Sequence, residues 1–197
     1  MKNNIKENLL SCINGKVANC SSCDLCNSSG LRVFGEGNLN ADIFWIGEGS
    51  GQQEAETGRP FVGKAGKLLT VMIERMGLTR EDMYIANVVK CHPPDNRAPS
   101  FEEVTACLPY LQMQLKIIDP KIIVTLGATA TDALLGPGES ITKRRGGIYH
   151  YDVDDKEITV VPTFHPAYLL RNPAAKQLVA KDLLLVNRML KNASDNV

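Results

Sequence analysis

The sequence predicts an α/β fold, a three-layer α/β/α sandwich, and two observations carry that prediction. Four short apolar runs, at 43–46, 84–89, 121–126 and 158–161, are rich in branched or aromatic residues and end at Gly, Pro, Cys or His. Segments with helical spacing lie between them. A helical crossover between parallel strands covers one face of the sheet, so this alternation implies a parallel sheet with helices on both faces.

The elements follow in order. The first strand runs into Gly47-Glu48-Gly49-Ser50-Gly51. Leu68, Leu69, Met72, Ile73 and Met76 then recur at helical intervals until Gly77 stops the pattern. The second strand carries Asn87 and ends at Cys91. Ser100 and Glu103 form a capping box that opens a helix reaching about Ile118. After the third strand, 127–135 reads as a helix. Residues 150–160, with Asp154 and Asp155 at the turn, add a hairpin at one edge, and the fourth strand leads into Thr163-Phe164-His165-Pro166. Asn172 and Pro173 cap a last helix whose Leu178, Val179, Leu183, Val186 and Leu190 are expected to pack inward.

Length and composition bound the rest. With 197 residues, 44% apolar and 22% charged, the chain fits one globular domain, 1–197, and disorder or collagen-like repetition is excluded. Lys and Arg number 22, as do Asp and Glu, so no global field draws the protein to a polyanion; nucleic acid has to meet a local basic patch. No apolar run approaches the length of a membrane helix. The first sixteen residues lack the apolar region and cleavage site of a secretory signal. A cytoplasmic location follows as the expectation. In that reducing compartment six cysteines read as metal ligands rather than a disulfide framework.

Ligands of open parallel sheets bind beyond the carboxyl ends of the strands, and the unusual residues sit there. Glu48, Asn87 and His165 follow three strand ends, so the topology brings an acid, an amide and an imidazole to one rim. Taken singly, the glycines 47, 49 and 51 make a tight turn, and Asn87 and His165 can be ordinary satisfied residues; their spacing matches neither a dinucleotide fingerprint nor a P-loop. Cys20 and Cys23 form one pair and Cys91 and Cys107 another, bracketing a proline-rich loop. Four thiolates can enclose zinc or an iron–sulfur cluster, and spacing does not choose between them. Cys26, at ligand spacing from Cys23, competes for a position. The cysteine-rich 11–30 segment reads as a lobe attached to the sheet, joined by 91–107.

The motifs resemble a known family. Gly47-Glu48-Gly49-Ser50-Gly51, Gly58-Arg59-Pro60-Phe61-Val62-Gly63-Lys64-Ala65-Gly66, Asn87-Val88-Val89-Lys90-Cys91, Pro93-Pro94-Asp95-Asn96-Arg97 and His165-Pro166-Ala167-Tyr168-Leu169-Leu170-Arg171 look like those of the family 4 uracil-DNA glycosylases, over about 20–190. The resemblance implies a four-stranded parallel sheet, a four-iron four-sulfur (4Fe-4S) cluster on Cys20, Cys23, Cys91 and Cys107, and removal of uracil from single- or double-stranded DNA by a monomer that releases free uracil. It places Phe61 as the stacking ring, Asn87 as the reader of O4 and N3–H, and His165 near O2. Glu48 and Asn96 become the groups that orient water, and Gly49 and Glu54 line the pocket. Departures are Ser50 for a common proline, Ala55 where an acid usually follows Glu54, and Gly49 where other glycosylases of the superfamily carry an aspartate.

The one compact basic run, Lys143-Arg144-Arg145, is the expected phosphate-contacting loop, with Lys64 and Arg171 as companions. Leu169 or Leu170 is expected to wedge into the gap left by a flipped base. Two other readings compete: an iron–sulfur or zinc module that binds DNA or a nucleotide without cutting, and a protein of the same superfamily that traps uracil-DNA covalently. The second needs an inserted loop with a histidine, which the Asn96-Arg97-Ala98 region lacks.

Overall fold

A computed structural model of the chain describes residues 2–154 and 156–194. Helix α1 is Lys2–Ala18, followed by strand β1 (Glu36–Gly37), strand β2 (Ile43–Gly47), helix α2 (Gln52–Thr57), helix α3 (Lys64–Glu74) and strand β3 (Tyr84–Asn87). Helix α4 (Phe101–Ile118), strand β4 (Ile122–Leu126), helices α5 (Ala128–Leu135) and α6 (Ile141–Arg144), strands β5 (Tyr149–Val153) and β6 (Lys156–Thr163), helix α7 (Pro166–Arg171) and helix α8 (Lys176–Ser194) complete the order.

The described strands form one sheet in the order β1-β3-β2-β4-β6-β5. Its inner four, β3, β2, β4 and β6, are parallel, as expected. The expected total of four is corrected to six, because β1 and β5 add antiparallel edges. β5 and β6 are the anticipated hairpin; Asp155, read into its turn, lies outside the described residues. β1 is two residues long, too short to leave a periodic signal.

Alternation along β2 explains the layers. Phe44 and Ile46 point to one face, where Leu111, Leu115 and Ile118 of α4, Ala130 and Leu134 of α5, and Leu10, Ile13 and Val17 of α1 meet them. Ile43 and Trp45 point to the other, against Leu69, Met72 and Ile73 of α3, Leu169 of α7, and Val179, Leu183 and Val186 of α8. Each such fully buried side chain contributes about 1.5–3 kcal/mol, and α1 docks on the sheet through Leu10, Ile13 and Val17. That helix is absent from the sequence reading, since its Ile5 and Leu9 are exposed and blur the apolar stripe. The 11–30 segment is therefore part core helix and part loop. In α8, Leu178 is 39% exposed, against expectation, and the inward position belongs to Asp182, which accepts hydrogen bonds from Thr163 and Arg145.

The chain passes from β2 to β3 on one side, then crosses back to β4 on the other. The carboxyl ends of β2 and β4 thus flank the point where the winding direction reverses, and a crevice opens there.

Candidate active site and cysteine cavity

A cleft of about 440 Å³ occupies that crevice, and Glu48, Gly49, Glu54, Phe61, Asn87, Asn96, His165 and Arg171 all line it. The distant motifs therefore meet in one cavity. Glu48 follows β2, where its carboxylate accepts a hydrogen bond from Thr129 Oγ1 at the start of α5. Asn87 ends β3, paired in register with Gly47. Its side chain is buried, and Oδ1 has no hydrogen-bond partner among the described residues. A buried acceptor left so costs about 1–3 kcal/mol, so the cleft holds a group suited to a donor from a ligand.

His165 caps α7, its Nδ1 accepting from the Ala167 amide at 3.1 Å. That bond leaves the other ring nitrogen, Nε2, to carry the proton and donate. Burial, with the positive charge of Arg171, holds the imidazole down to about 4 although Glu54 opposes the shift. At neutral pH the ring is an uncharged donor.

Phe61 packs 5.7 Å from the His165 ring, centroid to centroid. Its backbone lies in the left-handed region at φ 53°, an uncommon place for an aromatic residue. Two glycines admit it: a β-carbon on Gly47 would fall 2.4 Å from both Phe61 Cζ and Asn87 Oδ1, and one on Gly66 would fall 1.9 Å from the Phe61 carbonyl oxygen. Glu54 secures the same loop, Oε1 accepting from the amides of Val62 and Gly63 at 2.8 Å each. It is a buried anchor rather than a solvated carboxylate. Asn96, at φ 53°, lies on a turn that the Arg97–Glu103 ion pair (2.6 Å) ties to the start of α4.

The expected DNA-contacting residues separate. Arg171 lines the cleft, and Lys64 is exposed at the start of α3, next to the cleft-lining Ala65. Leu170 is 46% exposed, whereas Leu169 is buried in the core beneath α7 and is not free to wedge. The basic run is corrected more heavily. Arg144 is buried, donating to Asp132 (2.8 Å) and to the Gly136 carbonyl (3.0 Å). Arg145 is held by Asp182 and the Leu178 carbonyl. Both guanidinium groups brace the fold, and of the three only Lys143 projects outward, beside Glu139 at 3.3 Å. Residues the sequence reading missed are Thr129, which orients Glu48, and Tyr168, which lines the cleft. Their roles depend on tertiary contacts that no local pattern announces.

Cys20, Cys23, Cys26, Cys91 and Cys107 line one small cavity of about 20 Å³ between α1 and α4, while Cys12 is exposed elsewhere on α1. The Lys90 amide donates to Cys107 Sγ at 3.3 Å. Burial pushes the Cys107 thiol up to about 11 and raises Cys91 and Cys23 as well, with Arg32 opposing the rise at Cys91, whereas hydrogen bonds with Ser22 and Tyr110, aided by Arg32, lower Cys20 against the effect of burial. Among the described residues, no group of three or more His, Cys, Asp or Glu stands ready to hold a single metal ion.

Fold and cleft together define a class. A sequence model of the uracil DNA glycosylase superfamily matches residues 34–187, and the chain belongs to that superfamily. Within it, the chain is similar to the Type-4 uracil-DNA glycosylase of Thermotoga maritima, 44% identical over 189 residues that cover 94% of this chain and 97% of the relative. It is also similar to the Type-4 uracil-DNA glycosylase of Sulfurisphaera tokodaii, 47% identical over 182 residues covering 90% and 83%. A more distant likeness, 30% over 158 residues, is to a Bacillus phage SP01 DNA polymerase, of which it covers 17%.

Proposed function

We propose that this protein hydrolyses the N-glycosidic bond of uracil in DNA, initiating base excision repair, as a single domain that acts as a monomer in the cytoplasm. The observation that carries the reading is the buried Asn87 side chain, its Oδ1 without a partner among the described residues, in the same cleft as a neutral imidazole and a carboxylate. A base inside a duplex is out of reach, so the nucleotide turns out into the cleft at a cost of a few kcal/mol, lower where the base is unpaired. Phe61 stacks on the ring. Asn87 accepts from N3–H and donates to O4, a pattern that cytosine, with its amino group and bare ring nitrogen, does not match. A mispaired polar group of this kind discriminates more strongly than a missing methylene.

Bond cleavage leaves the bonding electron pair on the departing uracil and positive charge on the sugar. The His165 Nε2–H donates to O2, and the bond strengthens as negative charge develops there; such preorganised donors are the largest class of catalytic effect. Glu48, held by Thr129, favours the cationic sugar and with Asn96 orients the water that adds to C1′. Lys64, Leu170, Arg171 and Lys143 are the residues left available to the DNA backbone and the vacated stack.

The cysteine cavity fits a sulfur-ligated cluster by its chemistry: five thiols among its lining residues, a backbone amide aimed at sulfur, and cationic Arg32 and Lys90 alongside. Four cysteine thiolates are the ligand set that a four-iron cluster takes. Cys20, Cys23, Cys91 and Cys107 would hold it, with Cys26 as the rival ligand. Once bound, it would supply a cross-link that pins the loop between Cys91 and Cys107 rather than redox chemistry, since hydrolysis involves no net oxidation or reduction.

The test is a single-stranded oligonucleotide with one uracil, incubated with the protein and then treated with alkali. Breakage at uracil is expected. Intact DNA would leave a binding module, and a stable protein–DNA adduct would indicate covalent trapping.

A further inference from the structure

We infer that Arg80, which lies outside the cleft, is a positioning residue that sets the stacking ring of Phe61 for uracil binding. This rests on the stacking role proposed above. Arg80 opens the short turn Arg80–Asp82 after α3, a turn closed by a reciprocal cap between Thr79 and Asp82. Its guanidinium donates from Nη1 to the Phe61 carbonyl at 3.0 Å and from Nη2 to the Pro60 carbonyl. The same Nη2 pairs with Glu36 on β1 at 3.2 Å. Glu36 in turn receives Arg59 Nε and Nη2 at 2.8 and 2.9 Å, from the residue just before Pro60.

The consequence is a clamp on a strained segment. Phe61 holds a left-handed backbone, a strained conformation that persists only when its surroundings over-determine it. Gly47 and Gly66 make room for the ring and the carbonyl, but room does not select the conformation. Arg80 does, by drawing two successive carbonyls to one planar fork with five donors in fixed geometry. The edge strand β1 thereby gains a purpose: it carries the carboxylate that fixes the clamp, with no residue of its own in the cleft.

The experiment compares Arg80→Met, Arg80→Lys, Glu36→Gln and Phe61→Ala in the full-length, cofactor-loaded protein, well below each melting temperature. Readouts are kcat, KM for a uracil oligonucleotide, and the inhibition constant of free uracil. Arg80→Met is expected to raise KM and the inhibition constant about tenfold, the equivalent of about 1.4 kcal/mol, with kcat changed much less. Arg80→Lys, which reaches one carbonyl rather than two, should recover part of that loss, and Glu36→Gln should produce a smaller shift in the same direction. Wild-type KM and inhibition constant in a folded Arg80→Met protein, with a lower melting temperature alone, would overturn the inference. If Arg80→Met does not fold, Glu36→Gln decides: an unchanged inhibition constant for free uracil rejects the clamp. Phe61→Ala separates the two levels: if it leaves uracil inhibition unchanged, the stacking role fails, and if it weakens inhibition while the Arg80 variants do not, only the clamp fails.

Discussion

Asn87 and Cys91 are separated by Val88, Val89 and Lys90, yet the regions they belong to are built on opposite principles. The cleft is shaped by hydrogen bonds within the chain: two amides on Glu54, Thr129 on Glu48, the Ala167 amide on His165. The cysteine cavity gathers ionisable thiols whose proton loss burial opposes, as the raised Cys107, Cys91 and Cys23 show. Such thiols become anionic when a metal takes the proton's place. On the proposed reading, recognition is preorganised by packing, while the lobe would draw on chemistry from a bound group. Lys90 joins the two. Its buried ammonium donates to the Asn87 carbonyl at 2.8 Å and to Gln114 at 2.6 Å, and its own amide to Cys107.

The sharpest way to break this contrast is Asn87→Ala. It should lower kcat/KM on uracil by about 10²–10³-fold, the range for removing one preorganised polar contact, and leave the visible absorbance of the iron-loaded protein unchanged. Loss of colour would mean that the two regions are not separable. Cys23→Ala is the converse: it should lose bound iron and colour and melt earlier, whereas Cys26→Ala should keep both, measured by iron content and thermal unfolding. A colourless protein carrying zinc would remove the cluster altogether.

The pH response separates the regions again. The folded pKa of His165, about 4, lies below its ordinary value because burial disfavours the imidazolium. Its contribution to stability is therefore complete above the unfolded pKa of about 6.5 and is lost as pH falls toward 4. Activity that depends on its neutral form should stay level from neutrality down to that same neighbourhood, as a pH–rate profile on single-stranded substrate would show. A midpoint near 6.5 would mean that the ring is solvated. The smallest effect concerns the basic run: Arg144→Ala should cost about 1–3 kcal/mol of stability, while Lys143→Ala should stay within about 0.5 kcal/mol. Denaturant titration of both distinguishes a brace from a surface charge.

What the sequence made legible follows the same division. Glu48, Asn87 and His165 could be brought together from topology alone, because parallel strands deliver their following loops to one rim. The layers were readable because strand and helix periods differ along most of the chain. The misreadings have local causes. Adjacent leucines in a helix as short as α7 are told apart only by its phase, which buries Leu169 and exposes Leu170. A run of cations reads as exposed until Asp132 and Asp182, far from it in sequence, claim two of the three. Arg80 and Thr129 had no motif to mark them, since each acts through a contact made only on folding.

The narrow space at Gly47 and Gly66 reaches into heredity. Every single-nucleotide change that turns a glycine codon into that of another amino acid adds a β-carbon, and at these two positions that carbon would meet an aromatic ring, an amide or a carbonyl oxygen. At these two positions descent therefore has no gentle neighbours to step to.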